Sequence, residues 1–364
     1  MSEPLIKLTR GVPAEESFPV DRLRECADAV LLEHGSEVLQ YGKSRGDPRL
    51  RQLIAAGKGV DDGRIIVGQG SLQLQDLCAR LLIEPGDVVY VEEPTYDRTL
   101  RILRRAEAHV VGFPLEDGGV DVDAVHARLQ GGERPVLFYL IPDFQNPSGT
   151  VLSEERRRRL ADLSREYRFW IIEDVPYRRL RYRGQDLPSL FEMAPDRVLQ
   201  MSSYSKLISP GLRVGYVIVP LLLMDDLAKM AEDTYINASY LNQAIIAEFI
   251  ERGWLGPQIE ALKALYEPRL YATLDALDDH MADLADWHRP NGGFFVGVTL
   301  NGRVDTDELL NQAGRVNLAL TDGRSFFADS ANGDSFVRLP FCALTPDEIR
   351  EGVGRLAAVV RSLR

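Results

Sequence analysis

Between residues 65 and 174 short apolar runs alternate with segments of helical spacing, and this alternation constrains the fold more than any other feature. The runs that predict buried strands are residues 65–67, 88–91, 109–113, 136–141 and 169–174. The segments that predict helices are residues 72–82, 97–106, 121–129 and 153–167, the last two capped by Asp121 and Ser153. Alternating strands and helices indicate an α/β fold with a mostly parallel central sheet covered by helices.

The pattern changes towards the C-terminus. Residues 197–201 and 214–219 predict two more strands, and a long helical stretch follows from about residue 225 to 274, interrupted near 235–242 and 254–256. Beyond it, strands are predicted at 292–299, 318–320 and 335–339, and helices at 306–314 and 346–360. We therefore expect a large domain over residues 41–255 and a smaller α+β C-terminal domain over 256–364. Residues 1–40, with a helix capped by Asp21, are expected to join the small domain.

Composition narrows the possible partners. The 364 residues carry a net charge of −12, which argues against nucleic acid or an anionic membrane as the main partner. The basic run Arg156–Arg159 is therefore interpreted as a solvated helix face. No signal peptide or spanning apolar run is apparent. The three scattered cysteines favour a reducing cytoplasm, and the five histidines lack the close spacing of a metal site.

A lysine lies among hydroxyl side chains between the last two strands predicted for the sheet. Residues 202–215 read SSYSKLISPGLRVG, with Lys206 after three serines and Arg213 after a Pro-Gly turn. Burial lowers the pKa of an amine, and the neutral amine is the form that makes a Schiff base. Hydroxyls and an arginine suit a phosphate. Taken alone, the stretch is equally consistent with an ordinary loop that carries a solvated lysine.

Polar and glycine-rich clusters occur where five of the predicted strands end. They are Gly70-Ser71, Glu93–Tyr96, Asn146–Gly149, Glu173–Tyr177 and Ser203–Lys206. In an open parallel sheet, ligands bind at the carboxyl ends of the strands. The coincidence at five strand ends indicates a single binding site more strongly than any one motif does.

Three motifs resemble those of fold-type I pyridoxal-phosphate enzymes of the class I and II aminotransferase family. They are Pro142–Gly149 (PDFQNPSG), Glu173–Tyr177 (EDVPY), and Ser203–Lys206 (SYSK) with the PGLR sequence that ends at Arg213. The resemblance runs from about residue 11 to 353 and is greatest to aminoadipate and aromatic aminotransferases. MocR regulators carry a similar domain after a DNA-binding segment. Because no such segment precedes residue 1, we expect an enzyme rather than a regulator.

The resemblance implies pyridoxal 5'-phosphate as cofactor. Lys206 would form the Schiff base with it and then act as the base that moves the substrate α-proton. Asp174 would keep the pyridine nitrogen protonated, although taken alone it could be a helix cap. Tyr177 and Asn146 would hydrogen-bond the phenolic oxygen of the ring. The other implied cofactor contacts are Tyr96, which would stack on the ring, and the phosphate-binding residues Gly70, Ser71, Leu72, Ser203, Ser205 and Arg213.

Two further residues concern the substrate and the assembly. By resemblance, Arg338 would hold the substrate α-carboxylate, next to Asn146, and so orient the Cα–H bond. Tyr41 matches a tyrosine that reaches the phosphate of the neighbouring subunit, which implies a homodimer with shared active sites. Without the resemblance, Arg338 would be interpreted as a strand arginine paired with a surface acid, and Tyr41 as an ordinary core or surface aromatic.

The expected activity is transfer of the amino group of an α-amino acid to a keto acid. The alternative is a biosynthetic enzyme that uses the same cofactor for β/γ-elimination, replacement, cyclisation or C–C bond formation on an amino acid or an S-adenosylmethionine-like substrate. A third hypothesis is a sensor that binds the cofactor without turnover, against which intact Lys206, Asp174 and Arg338 argue. Several features depart from the family: a short N-terminus, Leu72 in place of a glutamine, and altered sequences at 321–327 and 339–342. They leave the specificity open.

Overall fold

The structure, a computed structural model, describes residues 4–302 and 304–364. The helices are α1 Val20–Val38, α2 Pro48–Lys58, α3 Ser71–Leu82, α4 Asp97–Arg105, α5 Val122–Gln130, α6 Glu154–Tyr167, α7 Leu190–Met193, α8 Leu221–Tyr235, α9 Tyr240–Glu251, α10 Leu255–Met281, α11 Thr306–Arg315 and α12 Pro346–Ser362. The strands are β1 Ile6–Leu8, β2 Ile65–Gly68, β3 Val88–Glu93, β4 His109–Glu116, β5 Gly119–Val120, β6 Leu137–Leu140, β7 Trp170–Asp174, β8 Val198–Ser203, β9 Gly215–Ile218, β10 Ala285–Trp287, β11 Phe295–Leu300, β12 Leu318–Leu320 and β13 Phe336–Pro340.

An eight-stranded sheet forms the centre of the chain, in the order β2-β9-β8-β7-β6-β3-β4-β5. Strands β8, β7, β6, β3 and β4 pair in parallel, whereas β9 and the edge strand β5 run antiparallel to their neighbours. Every residue of β6 and β8 is buried, so both faces of these strands are covered. The α/β fold with a mostly parallel sheet is thereby confirmed. Its parallel strands, together with β2, end at one edge.

The C-terminal residues form a separate three-stranded antiparallel sheet, β10-β11-β13, and helices α10 and α12 pack against each other. Strand β1 pairs in parallel with β12, while helix α1 packs on α9. The smaller α+β part is thus present, and the division at residues 40 and 255 stays a prediction. Helix α1 begins at Val20 after Pro19, so the expected cap at Asp21 is wrong: this residue already lies in the first helical turn.

Only part of the basic run at the start of α6 forms the solvated face that its charge suggests: Arg158 and Arg159 are exposed, whereas Arg157 is not. Arg157 is fully buried, and its Nη2 lies 2.8 Å from Asp143 Oδ1. The same guanidinium donates to the carbonyls of Pro142 and Leu152, each at 2.9 Å. Because Asp143 also pairs with Arg178 and Arg181, this buried network fastens the loop that carries Asn146 to the segment that follows β7.

Two further observations concern the chain as a whole. Within residues 4–302 and 304–364, no helix combines the length and the apolar character needed to cross a membrane. The three cysteines, Cys26, Cys78 and Cys342, are buried free thiols.

Candidate active site

A cavity of about 660 Å³ opens where the parallel strands end. Most of the residues predicted to bind cofactor or substrate line it: Ser71, Leu72, Tyr96, Asn146, Asp174, Tyr177, Ser203, Ser205, Lys206, Arg213 and Arg338. Gly70 lies beside the cavity as the residue before α3. Tyr41 does not line the cavity, and it is 78% exposed on the surface of the single chain. The structure therefore brings together the groups predicted at five separate strand ends.

Lys206 lies in a short turn of 3₁₀-helix directly after β8. Its Nζ donates a hydrogen bond of 2.8 Å to the carbonyl of Gly11 and lies 5.5 Å from the centre of the Phe294 ring. Burial lowers the pKa of the Lys206 amine to about 8, and the positive charge of Arg338 contributes in the same direction. A much larger fraction of this amine is neutral near pH 7 than of an ordinary lysine, so it can serve as a nucleophile or base.

Asp174 ends β7 and is 6% exposed. Its Oδ2 accepts a hydrogen bond of 2.9 Å from the hydroxyl of Tyr139, while its buried Oδ1 has no hydrogen-bond partner among the described residues. Burial raises the pKa of Asp174 to about 7, and the bond from Tyr139 opposes the rise. A buried carboxylate oxygen without a partner fits a protonated ring nitrogen, which would both donate to it and neutralise it.

The N-terminus of α3 is shaped to receive an anion. Gly70 adopts a φ of +83°, and a Cβ there would lie 2.5 Å from Arg213 Nη2. A Cβ on Gly215 would lie 2.4 Å from the backbone nitrogen of Ser71. The two glycines therefore let Arg213 and strand β9 approach the first turn of a helix that has no side-chain cap. With Ser203 and Ser205 beside them, these donors fit a phosphate group.

Arg338 lies on β13 with its guanidinium between the rings of Phe295 and Phe326, at 4.7 and 4.6 Å from their centres. Its Nη1 donates to Asn146 Oδ1 at 3.0 Å, and its Nη2 donates to the carbonyl of Thr9 at 2.6 Å. Burial lowers the pKa of this guanidinium below its ordinary value. Within the described ranges Arg338 makes no ion pair, so the surface-acid interpretation does not apply. It is a fixed, buried cation that faces a cavity, which suits a carboxylate.

Comparison with known proteins identifies the family. The model for aminotransferases of class I and II matches residues 3–356. The chain belongs to this family. It is 35% identical to aromatic-amino-acid aminotransferase 1 of Thermococcus litoralis, over 98% of this chain and 88% of that protein.

Two crystal structures are similar to this fold. The multiple substrate aminotransferase from Thermococcus profundus has a TM-score of 0.95 and 33% identity, covering 99% of this chain and 92% of that one. The α-aminoadipate aminotransferase from Thermus thermophilus, complexed with N-(5'-phosphopyridoxyl)-L-leucine, has a TM-score of 0.93 and 32% identity, covering 99% and 92%. The protein is a fold-type I aminotransferase, an enzyme that depends on pyridoxal phosphate.

Several residues of this aminotransferase site escape a local analysis of the sequence. Tyr139 is one, and its only signal is a polar aromatic in the buried strand β6, next to the strand that ends in Asp174. Thr9 and Gly11 are others. The carbonyl of Thr9 accepts a hydrogen bond from Arg338, and that of Gly11 accepts one from Lys206, although some 200 residues or more separate the partners in each pair. The remaining lining residues that the motifs did not indicate are Arg10, Gln75, Asp97, Arg98, Arg101, Ile141, Phe295, Thr321, Asp322, Ser325 and Phe326.

Proposed function

We propose that this aminotransferase moves the amino group of an α-amino acid to a 2-oxo acid in the cavity lined by Lys206, Asp174 and Arg338. The proposal rests on three groups that converge in this cavity. They are an amine with a lowered pKa, a carboxylate with one oxygen that has no partner among the described residues, and a guanidinium that makes hydrogen bonds but no ion pair within the same residues. When bound, pyridoxal phosphate supplies a ring that accepts the electron pair left as a bond to the substrate α-carbon breaks.

Each of these groups has a distinct task. Arg338, held in place by Asn146, binds the substrate carboxylate and so fixes the direction of the Cα–H bond. Once the cofactor is bound, neutral Lys206 would take the substrate α-proton and would later donate that proton as the amino group is transferred. Ionised Asp174 would stabilise a proton on the ring nitrogen of the cofactor, and Tyr139 keeps the carboxylate in place. Tyr177, 4% exposed, has a pKa well above that of free tyrosine because it is buried, so it acts as a hydrogen-bond donor.

The N-terminus of α3 would anchor the cofactor. Ser71, Ser203, Ser205 and Arg213 supply hydroxyl and guanidinium donors to the phosphate, and Leu72 follows in the same turn. Tyr96, the residue before α4, lines the wall of the cavity and would stack on the ring.

We further propose a homodimer. Large apolar side chains are exposed near Tyr41, including Leu39 at 71% and Ile236 at 49%. The backbone nitrogen of Gly42 donates to Asn237 Oδ1 at 3.2 Å, which holds the Tyr41 loop against the segment that contains Ile236. An apolar patch of this kind suits contact with a second copy, in which Tyr41 would approach the partner's phosphate. Light scattering should give twice the chain mass, and a monomer with full affinity for the cofactor would contradict this assignment.

A cytoplasmic location is the simplest one for this enzyme. It is supported by three buried thiols that form no disulfide. The net charge of −12 also disfavours nucleic acid as a partner.

A single-turnover experiment tests the function. Cofactor-loaded protein is mixed with a panel of amino acids and with S-adenosylmethionine, and mass spectrometry identifies the products. Conversion of the cofactor to pyridoxamine phosphate with release of a 2-oxo acid is the expected result. A product formed with pyridoxal phosphate regenerated would instead indicate elimination, replacement or cyclisation. A cofactor left unchanged by every substrate would indicate a sensor.

A further inference from the structure

The loop that carries Asn146 is buried although it is neither helix nor strand. Every residue from 141 to 150 is buried, and the loop leads from β6 towards α6. Irregular backbone inside a protein needs hydrogen-bond partners, because each unpaired amide or carbonyl there costs free energy. Two of the side chains that supply such partners are Glu92 and Gln145, and the chemistry at Lys206 uses neither of them.

Gln145 lies at the centre of these contacts and is fully buried. Its side-chain nitrogen donates to the carbonyl of Pro94 at 2.7 Å and to Glu92 Oε2 at 3.3 Å. Its side-chain oxygen accepts hydrogen bonds from the backbone nitrogen and the hydroxyl of Ser148, at 2.9 and 2.7 Å. Its backbone nitrogen donates to the carbonyl of Thr150 at 2.9 Å. Because both ends of the side-chain amide are engaged, the orientation of Gln145 is fixed.

Glu92, near the end of β3, joins this loop to the central sheet. It is buried, and the same Oε2 that binds Gln145 also accepts a hydrogen bond of 2.9 Å from the backbone nitrogen of Ile141. Burial raises the pKa of Glu92 to about 8, and these two hydrogen bonds oppose the rise. Near pH 7 the side chain is therefore mostly a neutral carboxylic acid, whose shape and acceptor oxygen a glutamine reproduces.

Asn146 lies between two points at which the loop is fastened. On one side Gln145 is bonded to β3, and on the other the carbonyl of Ser148 accepts a hydrogen bond of 3.0 Å from the backbone nitrogen of Gly297 in β11. The side-chain oxygen of Asn146 accepts a hydrogen bond from Arg338, so its amide nitrogen is the donor that it can offer to the cofactor ring. A rotation of this one side chain would weaken both contacts.

We propose that Glu92 and Gln145 are positioning residues that orient Asn146 towards the cofactor ring and towards Arg338. The inference rests on the proposed function, because it takes Asn146 to donate to the phenolic oxygen of the ring and Arg338 to hold the substrate carboxylate. A hydrogen bond to the phenolic oxygen stabilises its negative charge, and so favours loss of the proton that this oxygen shares with the Schiff-base nitrogen. Loss of the positioning contacts should therefore raise the pH at which that proton leaves.

The visible absorbance of the cofactor-loaded protein, titrated with pH, measures this midpoint, and KM for amino acids reports on Arg338. Gln145→Met and Glu92→Leu keep most of the side-chain volume and remove the polar contacts, whereas Glu92→Gln keeps an acceptor oxygen. Gln200→Met is the matched control. Gln200 is also buried and donates to a buried carboxylate, that of Glu173 at 2.8 Å, but it does not line the cavity.

Gln145→Met and Glu92→Leu should each raise the midpoint by about one pH unit and KM for amino acids by about 10-fold. Glu92→Gln and Gln200→Met should stay within about 0.3 pH unit of wild type, even if the control loses stability. In a protein that already carries Asn146→Ala, Gln145→Met should cause no further shift, because the side chain that it positions is gone. A purely structural role would lower stability and leave the midpoint and KM unchanged.

A folded Gln145→Met protein with the wild-type midpoint and KM would overturn the proposal, and so would a full further shift in the Asn146→Ala background. If Gln145→Met does not fold, Ser148→Ala decides. It removes one hydroxyl that donates to Gln145, and the midpoint should rise, whereas an unchanged midpoint would overturn the proposal. Absence of amino-group transfer by wild type with every substrate would refute the proposed function instead, while the absorbance titration would still report on Asn146.

Discussion

Asparagine in place of Asp174 should have opposite effects on the cofactor-free and the cofactor-loaded protein. Asparagine keeps the shape of the side chain and can still accept the hydrogen bond from Tyr139. It removes a negative charge whose Oδ1 is buried without a partner in the described structure. Without cofactor, the variant should therefore be more stable than wild type at alkaline pH. With cofactor, it should lose affinity, because the ring nitrogen loses its counter-charge.

The size of the effect follows from the pKa of the carboxyl group. Burial raises the pKa of Asp174 from 3.8 to about 7. Between these values the folded state holds a proton that the unfolded state has released, so the stability of wild type falls as the pH rises through this window. Each pH unit is worth about 1.4 kcal/mol. The stability advantage of D174N should therefore grow by about 2 kcal/mol between pH 5 and pH 7 and level off by about pH 8.

Urea denaturation of the cofactor-free proteins at several pH values, at one fixed protein concentration, measures this difference. Asp286→Asn is the control, because this aspartate is exposed on β10 and is hydrated in the folded and the unfolded protein alike. The stability of the Asp286→Asn variant should follow that of wild type across the pH range. If the gap between D174N and wild type were the same at pH 5 and pH 8, the carboxyl would not be a buried acid with a raised pKa, and the reasoning would fail.

Three further variants test the other groups. Lys206→Ala should bind the cofactor without a covalent link. It should also slow exchange of the substrate α-hydrogen by about 100-fold or more, measured by deuterium incorporation from solvent. Exchange at the wild-type rate would show that Lys206 is not the base. Arg338→Gln should raise KM for amino acids by about 10-fold or more and leave KM for simple amines unchanged, because only the contact with the substrate carboxylate is lost. Equal increases in KM for amino acids and for amines would indicate a general defect of the site. Tyr139→Phe removes the hydrogen bond to Asp174 that opposes the rise in the pKa of this carboxyl group. The pH at which cofactor affinity is half-maximal should therefore move up by about one unit. An unchanged midpoint would show that the Tyr139 hydroxyl does not affect the ionisation of Asp174.

The convergence of Lys206, Asp174 and Asn146 could be predicted from the sequence because each follows a strand of one parallel sheet. Strands that pair in parallel end at the same edge, so their terminal residues must meet. These strands could be predicted because each is a sufficiently long run of apolar residues. Arg338 depended on the family resemblance instead, since nothing in the local sequence of β13 shows that its side chain faces the cavity.

Other contacts could not be predicted, because they join segments that are distant in the chain. The carbonyl of Gly11 meets Lys206, and the hydroxyl of Tyr139 meets Asp174, through tertiary packing alone. The burial of Arg157 could not be predicted either, because its charge suggested solvent, whereas Asp143 and nearby carbonyls accept the hydrogen bonds of its guanidinium. Strand β5 has only two residues, too few to show a periodic pattern.

The account depends above all on Lys206 as the residue that carries the cofactor. Reduction of the loaded protein with borohydride, followed by peptide mass spectrometry, locates the modified lysine directly. The sequence contains six candidates: Lys7, Lys43, Lys58, Lys206, Lys229 and Lys263. The account predicts that the phosphopyridoxyl group is found on Lys206 alone, beside the serines of the phosphate site. A group on any other lysine, or reduced protein with no attached cofactor, would contradict it.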